Sequence, residues 1–177
     1  MNIKLVRLNE KYKMHLFEMM DEWYQKEPKP IPSAIRKVDY HDFDNYIKHI
    51  DNANTNGLIP DTTYFCLDCD INKFVGAVNI RHDLNEALLM HGGHIGFGVR
   101  PSMRSKGYGK AMLKETLKKC QKLGIYRVLM TCDKENIASS KVIQSNGGIL
   151  ENELVFLDKI IQRFWIENKK ENIWQIV

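Results

Sequence analysis

Hydrophobic and polar positions follow two different periods along this chain. Alternation at every second position predicts strands, and apolar residues spaced by three or four positions predict helices. The predicted strands are residues 3–8, 62–70, 73–82, 91–99, 126–132, 149–156 and 160–167. The predicted helices are residues 11–26, 42–53, 108–123 and 137–145.

This order of elements predicts an α/β (α+β) fold, with a mixed, mostly antiparallel sheet of about seven strands flanked by about four helices. Neighbouring strands between residues 62 and 99 are joined by short connections, including the tight Ile71-Asn72 turn, so they are expected to pair antiparallel. The chain has 177 residues and is 44% hydrophobic, which suffices for one sizeable core. We therefore expect a single domain over residues 1–177.

Three of the predicted helices carry an apolar face, which is more typical of a core-facing side than of a binding surface. In the helix at 42–53 this face is formed by Phe43, Tyr46, Ile47 and Ile50. The helix at 108–123 is expected to end at Gly124, a favourable residue after a helix. The expected core residues are Met14, Phe17, Met20, Trp23 and Tyr24 in the first helix, and Met112, Leu113, Leu117 and Cys120 in the third.

The overall charge limits the classes of partner. The net charge is +4 and the isoelectric point is about 8.8, with lysines dispersed along the chain, whereas nucleic-acid binding requires a denser basic face. No long apolar run follows Met1, so neither a signal peptide nor a membrane span is expected. These features predict a cytoplasmic enzyme that binds neither nucleic acid nor membrane.

The four cysteines do not have the spacing of a metal site. Cys66 and Cys69 form a lone CxxC pair, without the second pair that would complete a zinc site. Cys120 falls on the apolar side of its helix. Cys132 ends a strand, and an acyl-cysteine intermediate there is an alternative that lacks a flanking histidine to activate the thiol. We expect no bound metal.

The most informative segment is Arg104-Ser105-Lys106-Gly107-Tyr108-Gly109, between the strand at 91–99 and the helix at 108–123. A strand, a glycine turn and a helix start bind anions together, because the first N–H groups of a helix lack intrahelical partners and carry partial positive charge. Gly107 and Gly109 allow the backbone to approach a ligand closely. The positively charged side chains around this turn are Arg100, Arg104, Lys106 and Lys110.

Two other phosphate-binding motifs do not fit this turn. A Walker loop needs Gly-Lys-Ser/Thr so that a hydroxyl can hold magnesium, but Gly109 is followed by Lys110-Ala111. A dinucleotide-binding fingerprint needs a third glycine, and Met112 occupies that position. A nucleotide phosphotransferase would also need magnesium ligands, which are missing near the turn.

The pattern R-x-x-G-x-G over 104–109, preceded by Val99-Arg100-Pro101, resembles the pyrophosphate-binding motif of the GNAT superfamily of acetyl-CoA-dependent N-acetyltransferases. The segment 136–143 and the turn Asn146-Gly147-Gly148 are similar to the second cofactor segment of that family. The resemblance implies a cofactor-binding part at about 92–150 and an acceptor cleft at about 10–60.

The resemblance also implies acetyl-CoA as co-substrate, with Val99 pairing with the pantetheine and N–H groups at 104–109 holding the diphosphate. Gly96 and Gly98 then mark the close approach of a ligand or another backbone, and packing against an aromatic ring is the alternative. Asn136 suits an N-cap equally well. The implied cofactor-binding residues are Val99, Arg104, Ser105, Lys106, Gly107, Tyr108, Gly109, Lys110, Asn136 and Ser139.

Transfer to an amine requires a group that removes a proton, because an amine with a pKa near 10 arrives as an ammonium ion. His94 is the candidate catalytic base, since an imidazole titrates near neutral pH. A structural role is the alternative for a histidine beside a strand, and His91 and Glu86 are further candidates that act through water.

The departing thiolate has no obvious proton donor. Many family members have a tyrosine seven residues after the asparagine of the second cofactor segment, and this chain has Ile143 there. Ser139 is the candidate catalytic donor instead, with Ser140, water or unassisted departure as alternatives.

These arguments predict an enzyme that moves an acetyl group from acetyl-CoA to a primary amine, on a small molecule or a protein, by direct transfer in a ternary complex. The alternative is a non-catalytic acyl-CoA-binding sensor or interaction module, which the absent tyrosine favours. The segment 28–60 has no recognition pattern that names the acceptor. A homodimer formed through the closing hairpin or the tail at 172–177 is a further expectation.

Overall fold

A computed structural model of the protein describes residues 1–51 and 58–169. Seven strands occur in these two ranges, in agreement with the sequence pattern. The strands are β1 (Ile3–Val6), β2 (Asp61–Asp68), β3 (Lys73–Arg81), β4 (Ile95–Val99), β5 (Arg127–Asp133), β6 (Ile149–Phe156) and β7 (Lys159–Glu167).

Five α-helices accompany them within the same residues. Four were predicted, and the extra one is a short helix where the sequence indicated only a connection. Its N-cap is Asn85, whose side chain accepts a hydrogen bond from the Leu88 N–H. The helices are α1 (Lys13–Lys26), α2 (Phe43–His49), α3 (Glu86–Met90), α4 (Tyr108–Lys122) and α5 (Ile137–Gln144).

The strands form two antiparallel sheets with the orders β1-β2-β3-β4 and β5-β7-β6. The expected α/β fold with a mostly antiparallel sheet is confirmed, with the seven strands divided between two sheets. β4 lies at the edge of the first sheet and β5 at the edge of the second. These two edge strands are connected through α4, so the start of that helix lies beside the boundary between the sheets.

The core face of α1 differs from the predicted stripe. The buried residues of α1 are Leu16, Met19, Met20 and Trp23, which recur at helical spacing, and Phe17 is half-buried. The predictions for Met14 and Tyr24 are wrong, because their side chains are 70% and 41% exposed. The helix presents the face centred on Leu16 and Met20 to the sheet, which places both outliers on the solvent side.

The prediction for α4 is confirmed. Met112, Leu113 and Cys120 are fully buried, and Leu117 is half-buried against the same core. Gly124 follows the helix with a left-handed φ of +78°, as a residue at this position commonly has. One core lies between α1, α2 and the first sheet. A second core packs α4, α5 and the second sheet together with Ile80 and Ile95 of the first sheet, and a third joins Tyr108 and Met112 of α4 to the first sheet.

The helix predicted at 42–53 is α2 in the structure and ends at His49. The last two positions of that prediction, 52 and 53, lie outside the described part of the chain, as does the tail at 172–177. Within the described residues, no helix combines the length and the apolar character that crossing a bilayer requires.

Candidate functional site

The turn between β4 and α4 presents a run of N–H groups without backbone acceptors. Arg104 is the last residue of the turn whose N–H is used, since it donates to the Pro101 carbonyl at 3.3 Å. The first bond of the helix runs from the Ala111 N–H to the Gly107 carbonyl at 3.2 Å. Between them, within the described structure, the N–H groups of residues 105–110 donate to no backbone carbonyl. Such a run of N–H groups at a helix start has the geometry that suits an anion.

Two residues in the left-handed region shape this turn. Ser105 has a φ of +59° and Gly107 a φ of +84°, whereas Lys106 between them does not have a positive φ. Backbone that alternates in this way gathers N–H groups into an anion-binding concavity. Residues 104–107 are exposed, and a Cβ added at Gly107 would meet only the Met1 side chain, at 3.8 Å. The concavity is therefore open to solvent.

Gly109 is required for packing and not for its backbone conformation. A Cβ at this position would lie 3.2 Å from Cγ2 of Val142 and 3.6 Å from Cγ2 of Val99. Its φ is not in the left-handed region. Gly109 thus brings the start of α4 against both α5 and the end of β4.

Arg100 does not belong to the positive charges around the turn, contrary to the sequence prediction. Its side chain is only 6% exposed. Its Nε donates to Glu22 at 2.5 Å and its terminal Nη2 to Glu18 at 3.3 Å. The Ser102 N–H also donates to Glu22, at 2.9 Å. Two carboxylates of α1 therefore fix the exit of β4, and the pKa of Glu22 is lowered by these hydrogen bonds although burial opposes the shift.

Arg104 also has protein partners. Its two terminal nitrogens bind both carboxylate oxygens of Glu27, and its Nε donates to the Val99 carbonyl at 3.1 Å. The Lys106 ammonium donates to the Ser102 carbonyl at 2.9 Å and remains exposed. Of the predicted side-chain cations, Lys106 and the exposed Lys110 are therefore the ones best placed to meet a ligand at the turn.

Tyr108 contributes to this site through its backbone, because its side chain points into the protein. The hydroxyl donates to Asp68 at 2.6 Å, and both residues are buried. This hydrogen bond raises the pKa of Tyr108 to about 12. It also connects the first turn of α4 to the end of β2.

The outer edge of β4 is available for a ligand. β4 pairs with β3 on one side only. The His94 carbonyl accepts from the Arg81 N–H at 2.8 Å, and the Arg100 N–H donates to the Val75 carbonyl at 2.9 Å, so Gly96 and Gly98 between them direct their peptide groups to β3. The peptide groups of Phe97 and Val99 point the other way, and no strand pairing covers that edge within the described residues.

The glycines of β4 accommodate another segment of backbone. A Cβ at Gly98 would lie 2.3 Å from the Ile31 carbonyl oxygen, and one at Gly96 would lie 3.2 Å from Cβ of Pro32. The prediction of a close backbone approach is therefore confirmed, and the aromatic alternative is not what is observed. The proline-containing segment around Ile31 covers this face of β4.

The two sheets meet at His94. Its N–H donates to the Leu129 carbonyl at 2.8 Å, and its Nδ1 accepts from the Leu129 N–H at 2.9 Å. The imidazole is buried, and burial lowers its pKa. The Arg81 guanidinium, which the sequence analysis missed, donates to the carbonyls of Gly92 and Gly93 at 2.8 and 2.9 Å. Sequence pattern gave no signal for this contact, because it links β3 to a loop.

The second predicted cofactor segment forms the start of α5. Asn136 is its N-cap, with its side-chain oxygen accepting from the Ser139 N–H at 3.0 Å. The Ser139 side chain lies within hydrogen-bonding reach of the Cys132 thiol, whose pKa is raised by burial. A raised pKa disfavours the thiolate that an acyl-cysteine mechanism requires. Ile143 is fully buried.

The remaining candidates lie elsewhere. The His91 ring contacts Phe156 with centroids 4.0 Å apart, and Glu86 is exposed on α3.

A cavity of about 230 Å³ is lined by Ile59, Asp61, Arg81, Asn85, Ala87 and Leu88. A cavity of about 370 Å³ is lined by Asp21, Tyr24, Gln25 and Tyr40. Over residues 1–51 and 58–169, no three histidine, cysteine or acidic side chains cluster as metal ligands would.

Comparison with protein families matches residues 17–147 to the model of the "Acetyltransferase (GNAT) family". This span contains the turn at 104–110, the junction at His94 and the N-cap of α5. No curated protein sequence matches the chain significantly.

Solved structures of similar fold cover nearly the whole chain at low identity. A GNAT-family acetyltransferase from Bacillus anthracis has a TM-score of 0.66 at 16% identity, covering 96% of this chain and 97% of that one. A chimera of the Vibrio cholerae spermidine N-acetyltransferase SpeG with hSSAT has a TM-score of 0.64 at 14% identity, covering 95% and 96%. YncA from Salmonella typhimurium, solved with its cofactor acetyl-CoA, has a TM-score of 0.60 at 12% identity, covering 96% of both chains.

Proposed function

Because the chain belongs to the GNAT acetyltransferase family, we propose that it transfers an acetyl group from acetyl-CoA to a primary amine. The observation that carries this proposal is the run of N–H groups at 105–110 without backbone acceptors, in the segment that resembles the family's pyrophosphate-binding motif. A structure of similar fold was solved with acetyl-CoA, which supports the choice of co-substrate.

The residues at the turn fit the diphosphate of coenzyme A. The helix dipole of α4 and the N–H groups of residues 105–110 favour anionic oxygens, and Ser105 and Gly107 hold the backbone in the concave shape. Lys106 and Lys110 are exposed beside the turn and add charge. In this proposal Arg104 positions the turn, and its own N–H is already used by Pro101.

The pantetheine arm would lie along the outer edge of β4. The amides of the arm need hydrogen-bond partners, and the peptide groups of Phe97 and the N–H of Val99 face away from β3. The Val99 carbonyl already accepts from Arg104, so the N–H is the part of Val99 that remains for the ligand. This arrangement would direct the thioester toward the junction at His94.

The chemistry is attack of the neutral amine nitrogen on the thioester carbon. The ammonium form of the acceptor must lose a proton before its nitrogen can attack. The C–N bond then forms, and the C–S bond of the thioester breaks. A thiol has a pKa of about 8.5, so the thiolate is a tolerable leaving group near neutral pH. The half-exposed Ser139 hydroxyl, at the first turn of α5, is our candidate to protonate it.

We propose a small cationic amine as the first acceptor to test. Structures of similar fold include spermidine N-acetyltransferase variants from Vibrio cholerae. The cavity bounded by Asp21, Tyr24 and Tyr40 falls in the part of the chain expected to form the acceptor cleft, and a carboxylate with two aromatic rings suits an ammonium group. Other polyamines, amino acids and peptide N-termini complete the panel.

Calorimetry and a thiol-release assay test the proposal in sequence. Acetyl-CoA should bind with a dissociation constant at or below about 100 µM, and free thiol should appear when a suitable amine is added. Initial rates over both substrates should give intersecting double-reciprocal lines, as a ternary complex requires. Absence of acetyl-CoA binding would end the proposal, and parallel lines would replace direct transfer with an acyl-enzyme.

A non-catalytic acyl-CoA-binding module is the second candidate. Two observations favour it: the position of the family's tyrosine is the buried Ile143, and His94 uses its Nδ1 to bind Leu129. Binding of acetyl-CoA without thiol release over the whole amine panel would support the module. Release of thiol with any one amine would exclude it.

We also propose that the chain forms a homodimer through β6. This strand is the edge of the second sheet, and its residues Ile149 and Val155, with Leu157 beyond it, are 71%, 78% and 80% exposed. An exposed apolar edge strand favours pairing with another chain. Val155→Lys should convert a dimer to a monomer in light scattering, and Leu123→Lys, at the exposed end of α4, should not.

A further inference from the structure

His94 makes two hydrogen bonds to one residue across the boundary between the sheets. Its own N–H donates to the Leu129 carbonyl at 2.8 Å, and the Leu129 N–H donates to its Nδ1 at 2.9 Å. His94 is 8% exposed. The side chain therefore takes the place of a backbone acceptor at the position where β4 and β5 come together.

This contact determines which nitrogen of His94 carries the proton. A backbone N–H can only donate, so Nδ1 must accept with its lone pair. A neutral imidazole whose Nδ1 is unprotonated carries its hydrogen on Nε2. Protonation of Nδ1 would set two donors against each other and leave the Leu129 N–H without an acceptor.

The surroundings of His94 reinforce the neutral form. Burial lowers the pKa of His94, the Asp83 carboxylate and the backbone contact with Leu129 oppose this shift, and the nearby Arg81 cation adds to it. β5 faces the imidazole with the peptide group of Leu129. Arg81 is itself fixed, because its guanidinium donates to the carbonyls of Gly92 and Gly93.

The loop before His94 leaves little freedom for this group to move. A Cβ at Gly93 would lie 2.4 Å from the Leu129 carbonyl oxygen, so the two backbones are in direct contact. The Gly92 N–H donates to the Thr131 hydroxyl at 2.8 Å. Residues 92–94 are thus attached to β5 by backbone and side-chain contacts together, and Arg81 attaches the same loop to β3.

We propose that His94 is a positioning residue that remains neutral as its Nε2–H tautomer and fixes the point at which β4 and β5 separate, instead of the base that accepts the ammonium proton. This inference rests on the proposed acetyl transfer at the same site. It moves the role of proton acceptor from His94 to water or to another group in the cleft.

Two substitutions distinguish a positioning residue from a base. In His94→Asn the amide oxygen can accept from the Leu129 N–H, but the side chain cannot titrate. In His94→Leu no acceptor remains. We expect His94→Asn to keep kcat/KM within about 5-fold of wild type with an unchanged pH profile, and His94→Leu to lose about 30-fold or more. Equal large losses in both variants, or loss of an ionisation from the His94→Asn profile, would overturn the proposal.

A second measurement does not depend on turnover. The ¹⁵N shifts of the His94 imidazole should report an unprotonated Nδ1 and a protonated Nε2 from about pH 7 to pH 8. A protonated Nδ1 in this range, in either the neutral or the cationic ring, would overturn the inference. If the wild type fails to bind acetyl-CoA, the proposed function fails, while these shifts still decide the state of His94. If His94→Leu does not fold, the comparison of His94→Asn with wild type remains decisive.

Discussion

Arg104 and Glu27 are joined by two parallel hydrogen bonds, from both terminal nitrogens of the guanidinium to both oxygens of the carboxylate. Glu27 is the C-cap residue directly after α1, so the pair attaches the turn at 104–110 to the end of that helix. The hydrogen bonds from Arg104 lower the pKa of Glu27, and the same contact raises the pKa of Arg104. The side chain of Arg104 is therefore engaged with the protein, and the N–H groups that follow it face solvent.

A double-mutant cycle tests this relationship. If Arg104 acts by positioning the turn through Glu27, then Arg104→Gln and Glu27→Gln should each weaken acetyl-CoA binding by about 3- to 10-fold, and the double variant should be no weaker than either. Calorimetry measures the three affinities. Unchanged or tighter binding by Glu27→Gln would instead indicate that Arg104 leaves Glu27 to bind phosphate directly.

A charged residue at the turn should abolish cofactor binding without unfolding the protein. Gly107→Glu places a carboxylate beside the N–H groups that we assign to the diphosphate, and it adds strain because φ is +84°. Gly124→Glu is the matched control, since Gly124 has a φ of +78° and open space around it at the other end of α4. Both should lose about 1 kcal/mol of stability. Only Gly107→Glu should lose acetyl-CoA binding, and equal affinities would move the site elsewhere.

Glu22 should be important for stability. Its carboxylate accepts from the buried Arg100 guanidinium and from both the N–H and the hydroxyl of Ser102. Glu22→Gln removes the nearer of the two carboxylate charges that compensate Arg100, and we expect a loss of about 2–3 kcal/mol in the free energy of unfolding by urea. Glu10→Gln, which alters only an exposed contact of 3.6 Å to Lys13, should change it by less than about 0.5 kcal/mol. Similar values for both variants would contradict this assignment.

His94 should also make stability depend on pH. Because its pKa in the folded protein lies below the ordinary value of 6.5, the unfolded chain binds the proton more readily. The stability from the neutral form is complete above that value and decreases as the pH falls through it. We expect the urea midpoint to fall between about pH 7.5 and pH 5.5, with a smaller fall in His94→Asn.

The exposed His41 provides the control for this pH dependence, since its side chain is 64% exposed. His41→Asn also removes one histidine, but it leaves the His94–Leu129 contact in place. It should therefore follow the wild type over the same pH range. A midpoint that falls equally in wild type and His94→Asn would show that another group causes the dependence.

Sequence reasoning reached furthest where the relevant hydrogen bonds are local. The N–H groups at 105–110 lack acceptors because they begin a helix after a glycine turn, and that property depends only on neighbouring residues. Asn136 is similarly recognisable as an N-cap from its own segment. The succession of strands and helices along the chain and the buried positions of α4 follow from periodicity, which is also a local property.

The tertiary structure decided how the side chains around the turn are used. Arg100 precedes the turn at 104–110 and Arg104 begins it. Their carboxylate partners, Glu22 and Glu27, lie more than seventy positions earlier, in α1 and at its C-cap. A pattern of charges along one segment cannot indicate which of them another helix will neutralise. The orientation of α1, which exposes Met14 and Tyr24, was unpredictable for the same reason.

The sequence by itself determined the elements, the open helix start and the family resemblance, because each depends on residues that are close along the chain. Only the tertiary structure decided the state of His94 and the availability of the β4 edge. The protonation state of His94 and the free edge of β4 both depend on the position of β5. Leu129 of β5, thirty-five positions after His94, directs its peptide group to the imidazole.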